Sequence, residues 1–257
     1  MSGAAEPILR IDKLVKRYAG LTVTDDLSLD IVEHELHAII GPNGAGKTTL
    51  IAQLAGQVAP NSGHIRFGGR DIAHDTPPER ARAGIARSFQ ITSIFPSFSA
   101  EANVALAVQG RRRHSFRFWR PADRDPALID PARRLLAEVG LGGRSAAPAR
   151  TLSHGEHRLL ELAIALAQKP KLLLLDEPMA GLGSEESKSL VDFFRKLKGR
   201  YTIVLVEHDM DAVFALADRI SVLNAGRIIA TGPPDEIRRD PQVRAAYLGD
   251  DMPAGAG

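Results

Sequence analysis

The chain has 257 residues, 44% of them hydrophobic and 25% charged, the balance of a globular chain of one or two domains with enough apolar material for a sizeable core. Lys and Arg number 33 against 31 Asp and Glu, a net charge of +2, too even for nucleic acid or an anionic surface to be the main partner. With no cysteine, disulfides, thiolate catalysis and Cys-ligated metals are excluded; no apolar run approaches the ~18 residues of a membrane span, and the start lacks a basic stretch followed by an apolar one, so no export signal is expected.

Short apolar runs alternate with longer helical stretches. Ile8–Val15 and Ser28–Ile31 read as strands by apolar/polar alternation, and Leu36–Ile40 as a short buried strand running into a glycine-rich loop. Thr48–Leu54 then reads as helix, Gly63–Phe67 and Asp71–Ile72 as edge strands about Gly68-Gly69, and Thr76 with Glu79 as a capped helix start carrying early prolines. Ile85–Phe89 is expected as a strand. Residues 92–151 change character, with helical patterns at Ala100–Val108 and Asp130–Val139 and no convincing strand, and read as an inserted helical subdomain that extends into a helix ending near residue 168. Alternation resumes with helix Glu156–Gln168, strand Leu172–Leu175, helix Glu185–Lys198, strand Thr202–Val206, helix Met210–Ala217, and a hairpin of Ile220–Leu223 with Arg227–Ala230. This order predicts an α/β fold with a mixed β core, a parallel central sheet and an α-helical insertion. The expected division is 1–91 for the first part of the core, 92–151 for the insertion, 152–249 for the rest of the core and 250–257 for a disordered tail.

Gly41, Pro42, Asn43, Gly44, Ala45, Gly46, Lys47, Thr48 and Thr49 match G-x-x-x-x-G-K-[ST] between a predicted strand and a predicted helix. Glycines let successive N–H groups turn onto phosphate oxygens, and the helix N-terminus adds partial positive charge. Lys47, expected to face solvent without a ligand, would neutralise the β- and γ-phosphates, and Thr48 would offer its hydroxyl to Mg²⁺. This predicts ATP with Mg²⁺ as the bound pair. Leu172–Leu175 runs into Asp176 and Glu177: Asp176 at a strand end is placed to hold Mg²⁺, and Glu177 to accept a proton from an attacking water.

Further residues complete a pattern. Leu152-Ser153-His154-Gly155-Glu156 opens a helix shortly before the acidic strand, Gln90 follows a strand, His208 ends another, and Tyr18 stands before the phosphate-loop strand. Together these resemble the ATP-binding subunit of an ABC transporter, a P-loop NTPase, over almost the whole chain. Gly84–Phe95, Lys171–Leu182, Val206–Met210 and Thr231–Gly249 are most similar to the ATPases of branched-chain amino acid (Liv-type) importers. The resemblance implies that Tyr18 stacks on adenine, Gln90 reaches Mg²⁺ and the attacking water, and His208 contacts the γ-phosphate. Ser153 Oγ and the Gly155 N–H would bind the γ-phosphate held by a second ATPase subunit, in a homo- or heterodimer. It also implies transmembrane permease subunits, an extracytoplasmic solute-binding protein acting indirectly, and a cytoplasmic location on the inner face of the plasma membrane, with no nucleic-acid partner. The alternative is a soluble ABC ATPase acting on nucleic acid or ribosomes; those usually carry two cassettes or a long coiled-coil insertion, and only one phosphate loop is present here.

Two departures from the family pattern stand out. The family usually has Gly at His154 and Gln at Glu156; Ser153 with Glu156 also satisfies S-x-x-E, so the segment reads equally as a capping box. Many members carry Asp at Gly183, whose contact across the dimer is then absent or made by backbone. Elsewhere, His34-Glu35-Leu36-His37 is not a metal motif, because alternate strand residues face opposite ways. Arg111–Arg120 reads as a solvated loop or as a segment near anionic lipid.

Overall fold

The computed structural model describes residues 6–88, 94–111 and 125–248. Gln90, Phe89, most of the Arg111–Arg120 segment and the expected disordered tail lie outside the described residues. The chain forms two compact units, one of the described residues up to Arg80 and from Phe194 onward, the other of those between Ala81 and Phe193.

The first unit begins with β1 (Leu9–Tyr18), β2 (Leu21–Ile31), β3 (Leu36–Ile40), α1 (Lys47–Leu54), β4 (Ser62–Phe67), β5 (Arg70–Asp71) and α2 (Pro77–Ala83), whose last turn enters the second unit. In the second unit follow β6 (Ile85–Ser88), α3 (Ala100–Arg111), α4 (Pro126–Glu138), α5 (His154–Ala167), β7 (Leu172–Asp176) and α6 (Ser184–Leu197), which leads back to the first. There the chain continues with β8 (Thr202–Val206), α7 (Met210–Leu216), β9 (Arg219–Asn224), β10 (Arg227–Gly232), α8 (Pro234–Arg239) and the single turn α9 (Pro241–Val243).

Within the first unit, β3 lies between β8 and β9, parallel to both, and β10 closes that edge antiparallel to β9. Every residue of β3 and of β8 is buried, as expected of parallel strands covered on both faces. A separate antiparallel sheet runs β2-β1-β4-β5. In the second unit β6 and β7 pair in parallel, and α3, α4 and α5 pack on one another around Val104, Leu128, Leu136 and Leu160, all buried.

Two elements differ from expectation for identifiable reasons. β2 starts at Leu21, where only Ser28–Ile31 was predicted, because a bulge breaks its alternation. The buried positions run Thr24, Leu27, Leu29, Ile31, and the extra residue falls at Asp26, φ 53°. Its partner does the same, with Leu9, Ile11 and Leu14 buried and Lys13 at φ 49°; each bulge shifts the period of two by one. α4 starts at Pro126 instead of Asp130, because the Asp125 carboxylate accepts from the Ala127 N–H and Pro126 occupies the first turn. Of the two histidines noted in the sequence, His34 is exposed in the turn before β3, whereas His37 lies within β3, buried with Nε2 2.8 Å from Ser221 Oγ.

One buried charge fastens α1. Arg80 is 1% exposed, and its guanidinium spreads over five main-chain carbonyls: Gln53, Leu54 (2.8 Å), Ile72 (2.7 Å), Ala73 (3.1 Å) and Asp75 (3.2 Å). That matches the side chain's full donor capacity. Two of the acceptors are the last carbonyls of α1, where a cation also complements the helix dipole. Burial pushes the Arg80 pKa down to about 10, opposed by the charges of Asp75 and Asp71, so the group stays protonated at neutral pH. Arg80→Met should therefore lower unfolding free energy by about 2–5 kcal/mol, since it orphans buried carbonyls. Urea denaturation checks this, and a change within error would show that the carbonyls find other partners.

Candidate nucleotide site

The phosphate loop is shaped by close backbone approaches. β3 ends at Ile40, and a Cβ at Gly41 would stand 2.0 Å from the Leu223 carbonyl oxygen of β9. Gly46 has φ 108°, and a Cβ there would lie 2.5 Å from the Val23 carbonyl oxygen of β2. Neither position admits another residue. The β9–β10 turn adds a hydrogen bond from the Gly226 N–H to Ala45 O (3.0 Å), and Asp25 N–H donates to Gly226 O (2.9 Å). Gly46 caps α1 without any side-chain bond, and the first turn has no acidic residue. No carboxylate of its own first turn therefore competes for the opening N–H groups of the helix. Asn43, Gly44 and Thr48 are exposed, and Pro42 and Thr49 are half-buried.

Lys47 differs from expectation. It is 7% exposed, and its Nζ donates to Gly41 O (2.6 Å) and Pro42 O (3.1 Å). The ammonium folds back over its own loop because the two carbonyls at the loop entrance offer it a better site than partial hydration.

Tyr18 ends β1 opposite Leu21, with 47% of its surface exposed and the Lys16 ammonium 5.0 Å from its ring centre. It belongs to the hairpin whose second strand supplies Val23 to the loop. β8 ends at Val206, so His208 lies two residues beyond it. His208 is 59% exposed at the side chain, with Nδ1 3.6 Å from Glu207 Oε2. Glu207 is fully buried, and its Oε2 accepts from the His208 N–H (2.9 Å) and the Asp209 N–H (3.3 Å). Asp209 in turn caps α7 through the Ala212 N–H. Two carboxylates thus fold the turn that carries His208 outward.

In the second unit Asp176 closes β7, and its Oδ2 accepts from Arg87 Nη2 of β6 at 2.8 Å. Glu177 follows in the left-handed region, φ 48°, half-buried. A non-glycine residue in that region is strained by roughly 1–3 kcal/mol, a cost that recurs at functional positions.

At the start of α5 the capping box is formed. Ser153 Oγ accepts from the Glu156 N–H (3.2 Å), and Glu156 Oε2 accepts from the Ser153 N–H (2.8 Å). Glu156 Oε1 also takes a bond from Arg144 Nε at 3.1 Å. The charge of Glu156 is therefore turned into the cap and paired, while Ser153 remains exposed and Gly155 half-buried. Gly183 has both backbone groups engaged: its N–H donates to Glu186 Oε2 (3.2 Å) and its carbonyl accepts from Ser187 (2.9 Å). The other Glu186 oxygen crowds Gly155, 2.7 Å from where a Cβ would stand. Arg87, Arg144, Glu186 and Glu207 escaped the sequence reading. Only Glu207 had a local signal, its place between a buried strand and His208.

A strand running into a glycine loop that is floored by backbone, with an uncapped helix and a lysine at its entrance, defines a P-loop nucleotide-binding protein. The ABC transporter family model matches residues 24–180, and a second, branched-chain amino acid ATP-binding cassette transporter, matches residues 227–252. The high-affinity branched-chain amino acid transport ATP-binding protein LivG of Salmonella typhimurium is 36% identical over 253 residues, covering 96% of this chain and 99% of that protein. BraF of Pseudomonas aeruginosa, with the same description, is also 36% identical at the same coverage. An ATP-binding cassette of an ABC transporter solved in its ADP conformation superposes with TM-score 0.83 at 28% identity, over 96% of this chain and 100% of that one. The chain belongs to the ATP-binding subunits of ABC transporters, an ATPase family.

Because Lys47 bridges its own loop, Lys47→Ala should lower the stability of the ligand-free protein by about 1–3 kcal/mol besides abolishing ATP turnover. Urea denaturation and an ATPase assay read the two effects separately. Unchanged stability would mean that the bridge carries no weight, and near-normal turnover would remove Lys47 from the site.

Proposed function

We infer that this chain hydrolyses MgATP to power the import of branched-chain amino acids or chemically related small polar solutes. The observation that carries the reading is the end-to-end match to LivG, over 96% of this chain and 99% of the relative, reinforced by the match at residues 227–252. No helix among the described residues is long and apolar enough to cross a membrane, which fits a subunit working with separate permeases. We place it on the cytoplasmic face of the membrane, with a second ATPase subunit, transmembrane permeases, and an extracytoplasmic binding protein that acts through them.

The loop N–H groups of Gly44 to Thr49 receive the phosphates, and Lys47 exchanges its two loop carbonyls for phosphate oxygens. Tyr18 stacks on adenine. The residues suit Mg²⁺: Thr48 has an exposed hydroxyl at the first turn of α1, and Asp176 keeps Oδ1 without a hydrogen-bond partner among the described residues. Mg²⁺, when bound there, neutralises charge on the β- and γ-phosphate oxygens. Gln90 is assigned to the metal and the attacking water. Glu177 accepts a proton from that water, and His208 orients the γ-phosphate. Ser153 Oγ and the Gly155 N–H face the γ-phosphate of the partner's ATP, a role compatible with the capping box because Glu156 is turned into the cap.

Glu177→Gln keeps shape while removing basicity, so hydrolysis should fall by about 10²–10⁴-fold and an ATP-bound dimer should accumulate with the partner ATPase present. Asp176→Asn should weaken both Mg²⁺ dependence and dimerisation. Light scattering after size exclusion, with and without MgATP, distinguishes them; a Glu177→Gln protein hydrolysing at the wild-type rate excludes Glu177 as the base. The transport reading is tested by reconstituting the chain with its permeases in liposomes. ATPase activity should rise when a binding protein loaded with leucine, isoleucine or valine is added. Co-purification with ribosomes instead of membrane subunits would overturn it.

A further inference from the structure

Arg87 is a charged residue on a buried strand that the assignments above leave unused. It stands on β6 opposite Leu174 of β7. Leu174 and Asp176, two residues apart, project from the same face of the sheet, so the long Arg87 side chain runs along that face to the carboxylate. Nη2 donates to Oδ2 at 2.8 Å, with only 9% and 7% of the two side chains exposed. Burial disfavours the Arg87 charge, and the bond to Asp176 opposes that effect.

A buried arginine–carboxylate pair contributes little net stability compared with well-packed apolar residues of similar volume. Its position therefore calls for a reason beyond packing. Asp176 gives Arg87 one oxygen only, and among the described residues Oδ1 has no hydrogen-bond partner. A carboxylate gripped through one oxygen by a rigid, planar donor presents the other in a fixed direction. The grip also offsets a buried negative charge that would otherwise repel that of neighbouring Glu177 when no cation is present.

We propose that Arg87 is a positioning residue for the divalent metal: it holds Asp176 through Oδ2 so that Oδ1 is directed to the cation or to its water. The proposal rests on the reading of Asp176 as the metal carboxylate. In this role Arg87 would act through Asp176 alone.

The test measures Mn²⁺ binding to the full chain with a non-hydrolysable ATP analogue, by the electron paramagnetic resonance signal of free Mn²⁺. Arg87→Met should raise the Mn²⁺ concentration for half-saturation by about 10- to 100-fold, the usual effect of losing a residue that orients a metal ligand. Arg87→Lys, which keeps a charged donor, should recover most of the loss. If Arg87→Met does not fold, Arg87→Gln takes its place with the same expected direction. Asp176→Asn, run in parallel, separates the two ideas. If Asp176→Asn weakens Mn²⁺ binding and a folded Arg87→Met or Arg87→Gln does not, the role of Arg87 is overturned and the metal reading stands. If Asp176→Asn leaves Mn²⁺ binding unchanged, the metal reading falls and this proposal with it. A drop in melting temperature with no change in half-saturation marks Arg87 as merely structural.

Discussion

Main chain pressed against main chain is the constraint on which the nucleotide site depends. Gly41 lies against the carbonyl of Leu223 and Gly46 against that of Val23, so strands from two different sheets form the floor of one loop. No side chain intervenes at either point, and the loop therefore inherits its shape from the sheets. The far end of α1 is held by a different means, the buried guanidinium of Arg80 on the carbonyls of Gln53 and Leu54. A helix of eight residues is too short to be stable alone; fixing it at both ends keeps its first-turn N–H groups aimed without any capping side chain.

In the second unit the acids are distributed with equal care. Asp176 has Arg87, Glu156 has Arg144 and the Ser153 N–H, and Glu186 has the Gly183 N–H. Each carboxylate thus has a donor that fixes its direction. Glu156 shows the value of this: an acid where relatives of the family usually carry Gln would oppose a phosphate if left loose, yet here it completes the helix cap. Glu177 is held differently, by a strained backbone that sets the side chain's point of departure from the strand.

Much of this was legible from residue order because the relevant physics is local. The phosphate loop, the strand ending in Asp176, the capping box at Ser153 and the short buried strands all follow from glycine placement, apolar runs and cap chemistry. What escaped is non-local. The length of β2 was hidden because bulges at Lys13 and Asp26 shift the inward-facing positions of both hairpin strands, and periodicity alone does not reveal a paired interruption. Arg80 gave no sign of its burial, since its five acceptors come from two stretches of chain, the nearby Ile72–Asp75 and the distant end of α1. Arg87 and Arg144 had no signal in the sequence because their carboxylates, Asp176 and Glu156, are supplied by other elements. α8 and α9 were not predicted; both are short and open on prolines, and only α9 has a side-chain cap, Asp240. The inward fold of Lys47 was missed because residue order does not show that the Gly41 and Pro42 carbonyls turn toward its ammonium.

That last feature makes the protein its own competitor. The Lys47 ammonium already has two acceptors, so on the proposed role of Lys47 a nucleotide would be taken up by exchange and would have to displace them. The fraction of chains whose lysine is released scales the apparent affinity. A ligand ending at its α-phosphate gains the loop N–H groups but has no β- or γ-oxygens for the ammonium, and leaves the bridge in place. On the reading of Lys47 as the phosphate lysine, two carbonyl oxygens of the loop itself would thus weigh against monophosphates before any chemistry.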